Sequence, residues 1–178
     1  DRLAADMVRL LDAPFPARTD AWRFHDMGRR IERALATLRF LRAFGRAGAT
    51  GDDLGTLLDL ADSQISYRQR YLTGIARVPV LDLVALDPGN PRGIAHQVAA
   101  ISGHLDALPV LSDDGLAEPQ QEQARELAAI LVTAHATRID DAMLAGLELR
   151  LAHLSDAVAR RYFLQGAEPL RAAGLVLA

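Results

Sequence analysis

Cysteine is absent from this sequence, and so is lysine, so all 20 basic residues are arginine. The first absence excludes disulfides, thiolate metal sites and thiol catalysis, and it fits a cytoplasmic protein. The second excludes a lysine Schiff base and a phosphate-binding loop ending in Gly-Lys-Ser/Thr. Aromatic residues make up only 5% of the chain, so a core has to be built mostly from Leu, Ile, Val and Ala. No apolar run approaches the roughly 18 to 20 residues needed to span a bilayer. No charged-then-apolar leader follows Asp1, so no signal peptide is expected; a chain starting without methionine fits one trimmed or excised from a larger protein. A net charge of −3 without a basic tract argues against broad nucleic-acid binding.

What is present points to helices. Half the residues are hydrophobic, and the dominance of alanine, leucine and arginine favours an all-α protein. The expectation is one all-α domain over residues 1–165, a bundle of six or seven helices, followed by a tail at 166–178. Leu3, Met7, Leu10 and Leu11 have helical spacing up to Asp12, where Ala13-Pro14-Phe15-Pro16 breaks it. A long helix capped by Thr19 or Asp20 runs to Gly45 or Gly48. Asp52 or Asp53 is read as the cap of a helix reaching about Ile75. Pro79 to Leu86 is a short buried segment, helix rather than strand. Asn90 reads as N-cap and Pro91 as first residue of a helix to about Leu108. Pro109 to Pro119 is the clearest loop. Helices are then expected over Gln120–Arg138 and from Asp140 or Asp141 to Phe163. The last has Leu147, Leu151, Leu154, Val158 and Tyr162 on its core side, while the helix ending near Leu108 buries Ile94, Val98, Ile101, Leu105 and Leu108.

The long helix carries the densest charge. On a wheel of about 100° per residue, Phe24, Met27, Ile31, Leu35, Leu38 and Leu41 share one face, with Trp22, Phe40 and Phe44 roughly opposite. Asp26, Arg29 and Arg33 lie between them, and Glu32 flanks the apolar stripe; the plainer reading is a surface helix laced by Asp26–Arg29 or Asp26–Arg30 and Arg29–Glu32 pairs. In the next helix Arg68 falls beside Ile65 and Leu72, where a guanidinium needs an anionic partner or must snorkel to solvent. Glu32 and Asp87 are the candidate partners. Tyr67 and Arg70 stand close by, and Arg92, set against the dipole of a helix first turn, is aimed at something acidic or at solvent.

These residues form the candidate cluster: Asp26, Arg29, Glu32 and Arg33, with Tyr67, Arg68 and Arg70, joined by Asp87, Asn90 and Arg92. As a binding site, its arginines grip phosphate or carboxylate while Glu32 orients an arginine or acts as general base. As a structural feature, the same groups form an ion network that fixes helix register. Both readings stay open. The five histidines, at 25, 96, 104, 135 and 153, have no tight metal spacing, and no paired Glu-x-x-His marks a di-iron bundle. No metal or cofactor is therefore expected. His-Glu-x-x-His, Gly-x-Ser-x-Gly and dinucleotide glycine fingerprints are also missing.

Three ordered blocks carry a family resemblance. They are Met27-Gly28-Arg29-Arg30-Ile31-Glu32-Arg33-Ala34, then Ala61-Asp62-Ser63-Gln64-Ile65-Ser66-Tyr67-Arg68-Gln69-Arg70-Tyr71, then Val80-Leu81-Asp82-Leu83 with Leu86-Asp87-Pro88-Gly89-Asn90-Pro91-Arg92. Leu154-Ser155-Asp156 and Arg161-Tyr162-Phe163 add a fourth. Together they resemble the alpha-E family, bacterial helical proteins named for a Glu-Arg pair in a long helix. Longer members look like two related halves, and this chain resembles the C-terminal one. The resemblance implies a fused or neighbouring ATP-grasp partner, nearby transglutaminase-like or proteasome-like peptidases, and a part in making or modifying peptide-type amide bonds. A homo-oligomer replacing the missing half, and a non-catalytic scaffold or dimerisation module, are the alternatives.

Overall fold

The computed structural model of the chain describes residues 19–72, 74–109 and 116–163. Among these are seven α-helices and no strand. The expected helix before Asp12, most of the loop between Pro109 and Pro119, and the tail after Phe163 lie outside the described residues.

Helix α1 spans Asp20–Phe44, about 37 Å at 1.5 Å per residue. Its N-cap is Thr19, whose hydroxyl accepts from the Trp22 amide, and its C-cap is Gly45. Met27, Ile31, Leu38 and Leu41 are buried along it, with Phe24 and Leu35 half-buried beside them. This is the stripe that the wheel marks. Ala34 and Thr37 complete it, and the Thr37 hydroxyl donates back to the Arg33 carbonyl rather than facing the core unpaired.

The other long helices are α5 (Ile94–Asp106), α6 (Pro119–Thr133) and α7 (Asp141–Tyr162). Helix α1 packs on α5 and α7, and α6 closes the ring by packing on both, so these four make a bundle. The expected faces are the buried ones: Ile94, Val98, Ile101, Leu105 and Leu108 from α5 and its end, and Leu147, Leu151, Leu154 and Val158 from α7. Helix α6 stops at Thr133, five residues short of the expected Arg138, and the chain passes through a 3-10 turn at Ala136–Arg138. The exposed Arg39 and Arg42 tie α1 to Glu148 and Asp141 of α7. At the other end Arg161 meets Glu118, a carboxylate only 2% exposed, at 2.6 Å.

The region between α1 and α5 departs from the helix expected up to Ile75. Helix α2 covers only Gly51–Leu60, capped by Thr50 in a capping box with Asp53 rather than by either aspartate. Its end is a Schellman turn: the Asp62 amide donates to Asp59 O and the Ser63 amide to Leu58 O. Asp62 takes φ 49°, the left-handed position that turn requires. A separate short helix, α3, follows at Gln64–Arg70. The kink turns the expected apolar face outward. Ile65 is 74% and Leu72 98% exposed, and Arg68 between them faces solvent.

Helix α4 (Arg77–Leu81) runs straight into a π-helical turn, Asp82–Leu86, whose Leu83, Val84 and Ala85 are buried. The chain then makes an open turn and enters α5 with Gly93 as N-cap, three residues later than Asn90. Glycine is needed there. A Cβ at Gly93 would sit 3.1 Å from Val84 O, 3.2 Å from Leu83 O and 3.3 Å from Asn90 O. The backbone of the turn therefore lies directly on the π-helix, which fixes where Arg92 starts.

Candidate functional site

Three segments meet beside α1: the exposed face of α1 itself, the Schellman turn after α2, and the turn before α5. Arg29, Glu32, Arg33, Phe40, Leu60 and Arg92 are among the side chains lining an open cleft of about 450 Å³ there. A second hollow of about 320 Å³ adjoins it, sharing Arg29, Arg33 and Arg92 and adding Asp26, Arg30 and Gln97. Arg29 and Arg33 are one helical turn apart, so their guanidinium groups leave α1 in the same direction. Arg92 faces them from the other wall.

The arginines differ in what already holds them. Arg92 Nη2 lies 2.8 Å from Asp62 Oδ2. Arg30 is held by Asp26, its Nε donating at 2.6 Å, and its Nη1 donates to Gln97 Oε1 at 3.2 Å. Arg29 and Arg33 make no ion pair within 4 Å with a described residue. The pairing expected between Arg29 and Glu32 does not form, and Glu32 too stands exposed at the cleft without a partner among the described residues.

Behind this open wall lies a closed network. Asp26 Oδ2 accepts from Arg30 and from His104 Nε2 at 2.7 Å, and the His104 side chain is only 8% exposed. Gln97 extends the chain of bonds by donating to Pro91 O at 2.6 Å. Burial pushes the Asp26 carboxyl up, but the bonds from Arg30 and His104 outweigh it and hold the group below its usual range. The Asp26–Arg30 pair is one that the helix spacing offers, whereas Gln97 and His104 were not legible as site residues. The signal available was the helical spacing of Gln97, Ile101 and His104, which puts two polar groups on the buried face of α5.

Asn90 acts as a staple. Only 2% exposed, it donates through Nδ2 to Ser63 Oγ and Leu83 O, while its Oδ1 accepts from the Arg92 amide. It thereby joins the Schellman turn, the π-helix and the turn carrying Arg92. Asp87 pairs with Arg70 and accepts from the Gly89 amide, closing the same turn from its exposed side. Asp82 Oδ2 accepts from the Tyr71 hydroxyl at 3.3 Å.

The structure thus separates the expected cluster into three parts. Arg29, Glu32, Arg33 and Arg92 share the cleft, with Asp26 behind them. Asp87, Asn90 and Arg70 hold the turn. Tyr67 and Arg68 belong to neither: the Tyr67 ring is buried, its hydroxyl donating to Gly74 O and accepting from the Ala76 amide. Arg68 meets neither Glu32 nor Asp87, because the break at Ala61–Ser63 points it to solvent and Arg70 takes Asp87. Asp62, in turn, was missed as a member. Among the described residues no three His, Asp or Glu side chains gather to hold a metal ion, and no helix is long and apolar enough to cross a membrane.

A ring of four long helices, with a Glu-Arg pair on the central one facing a polar cleft, defines the class of protein. The alpha-E family model, described as a predicted alpha-helical domain with a conserved ER motif, matches residues 16–163. The chain belongs to that family, with Glu32-Arg33 as its Glu-Arg pair. Uncharacterized proteins of Mycobacterium tuberculosis and Mycobacterium bovis are 26% identical over 137 residues, covering 75% of this chain. The chain spans about 15% of the length of these curated relatives. No solved structure matches it.

Proposed function

We propose that this alpha-E chain supplies an anion-gripping cleft to a system that makes or modifies peptide-type amide bonds, working with an ATP-grasp-type partner. The carrying observation is the convergence of Arg29, Arg33 and Arg92 on one cleft, with no carboxylate among the described residues satisfying the first two. Guanidinium groups hold carboxylate or phosphate through paired hydrogen bonds. A substrate carboxylate, or a phosphoryl group passed from a nucleotide-using partner, has the matching chemistry. Glu32 at the same cleft orients an arginine or accepts a proton from an attacking amine. The ATP-grasp partner comes from the family resemblance, not from the cleft.

The test is a reconstituted reaction with the fused or neighbouring ATP-grasp protein. Arg33→Gln and Glu32→Gln are expected to abolish product formation while leaving the melting temperature unchanged, since both side chains are exposed. Normal product formation by both variants would overturn a direct role.

A scaffold reading rests on a different observation, the closed network of Asp26, Arg30, Gln97 and His104. These groups fix how α1 sits on α5. The scaffold reading requires Arg29 and Arg33 to be dispensable, so the same variants separate the two.

A further inference from the structure

The cleft changes character along its length. Its arginine end runs past Arg29, Arg33 and Arg92 toward Pro91 and Gln97. Toward its other end apolar walls are added, Ala36, half-buried Phe40, Leu60 and Ala61, beside Thr37 and Asp62. Leu60 is 46% exposed, a large side chain left facing the opening. From Arg29 to Phe40 is about 16 Å along the helix, the length of about five extended residues. A bare phosphate or a single amino acid fills the arginine end and leaves the apolar end wet.

We infer that the ligand of this cleft is an extended peptide segment, its carboxylate held by Arg29 and Arg33 and an apolar side chain seated against Phe40 and Leu60. The inference rests on the anion-binding reading above and adds the substrate class. Three features agree on it. Arg29 and Arg33, without an ion-pair partner among the described residues, supply positive charge toward one end. The apolar floor begins one turn beyond Arg33, at Ala36. Arg33 to Phe40 is about 10 Å along the helix; residues two apart in an extended chain project to the same side about 7 Å apart, and the length of a glutamate side chain in the ligand covers the rest. Specificity for the apolar residue then comes from burial in a half-open site and is correspondingly moderate.

The experiment is titration calorimetry with acetyl-Glu-Ala-Leu-amide and its reverse, acetyl-Leu-Ala-Glu-amide, each beside the version with Ser for Leu, and with inorganic phosphate. One Leu peptide is expected to bind roughly five- to ten-fold tighter than its Ser counterpart. Leu60→Ser is expected to bring the two affinities together, and Arg33→Gln to weaken both. Leu60 is half exposed, and a circular-dichroism melt checks that the Ser variant stays folded. Equal binding of Leu and Ser peptides overturns this inference while leaving the anion grip standing. Phosphate binding without peptide binding does the same. No binding of any of the five probes overturns both.

Discussion

Arg92 Nη2 lies 2.8 Å from Asp62 Oδ2, and Asp62 holds that carboxylate from a left-handed backbone at φ 49°. Both ends of the pair are partly exposed, so their attraction is modest. What matters is position. The Schellman turn puts Asp62 where glycine is the usual residue, and the Asn90 staple puts Arg92 opposite it. The pair holds one guanidinium of the cleft toward α1 and leaves the other two uncommitted.

Glycine costs nothing in that left-handed turn, whereas alanine has neither the freedom of glycine nor the local bonding of aspartate. Asp62→Gly is therefore expected to keep the stability of the chain within about 0.5 kcal/mol, and Asp62→Ala to lower it by about 1 kcal/mol. Urea denaturation of the two variants decides it. Equal losses for glycine and alanine would mean that the ion pair, which both remove, and not the backbone, governs this turn.

Gly28 sits within α1 next to Arg29, and a Cβ added there meets no atom within 4 Å. Mid-helix glycine costs about 0.5 to 1 kcal/mol relative to alanine. Gly28→Ala should raise the free energy of unfolding by that amount, since nothing in the fold crowds the position. A stability gain accompanied by loss of ligand binding would show a ligand backbone lying against α1 at this point.

The network behind the cleft predicts a pH dependence. The folded Asp26 carboxyl titrates below its usual range, because the bonds from Arg30 and His104 outweigh burial. Its contribution is thus fully present above the unfolded carboxylate value of about 3.9 and is lost as pH falls through the lower folded value. Asp26→Asn should cost about 1 to 3 kcal/mol at neutral pH, the usual range for bonds to a charged group. The gap between wild type and variant should narrow below about pH 4. Chemical denaturation at several pH values measures it, and a gap independent of pH would remove Asp26 from the account.

Arg68 tests the departure from the sequence reading. A guanidinium inside an apolar stripe, as Ile65 and Leu72 suggest, loses several kcal/mol of stability when its charge is removed without its partner. The structure instead exposes all three side chains. Arg68→Met is accordingly expected to change stability by no more than about 0.5 kcal/mol. A loss of several kcal/mol would restore the buried position.

The same contrast shows what the sequence carried. The buried stripes of α1, α5 and α7 were legible because each repeats over several turns and each apolar position has a partner helix. The convergence of Arg29, Glu32, Arg33 and Arg92 was legible too, as a charged helix face and an arginine in a turn. The break at Ala61–Ser63 was not: Ala-Asp-Ser has no glycine or proline, so the apolar spacing of Leu58, Ala61, Ile65 and Leu72 runs on across it. That one left-handed aspartate re-aims α3, so that Tyr67 enters the core in place of Ile65 and Leu72, Arg68 is exposed, and Arg92 gains its partner. His104 and Gln97 escaped for another reason, since a polar residue on a buried face names no partner until the facing helix is placed.

Asn90 carries the last consequence, because it joins three segments through one buried amide. Asn90→Ala strands Leu83 O on one side and the Arg92 amide on the other, at a site 2% exposed. Leaving such groups unsatisfied costs about 1 to 3 kcal/mol. Ser63 keeps its own bond to Ala61 O, so the helices should survive and the loss should concentrate in the turn. Hydrogen exchange should show faster exchange at Arg92 and Gly93, with α1 and α7 protected as before. Anion binding should weaken several-fold although no arginine has changed. Unaltered binding would place the grip in Arg29 and Arg33 alone, with Arg92 a bystander.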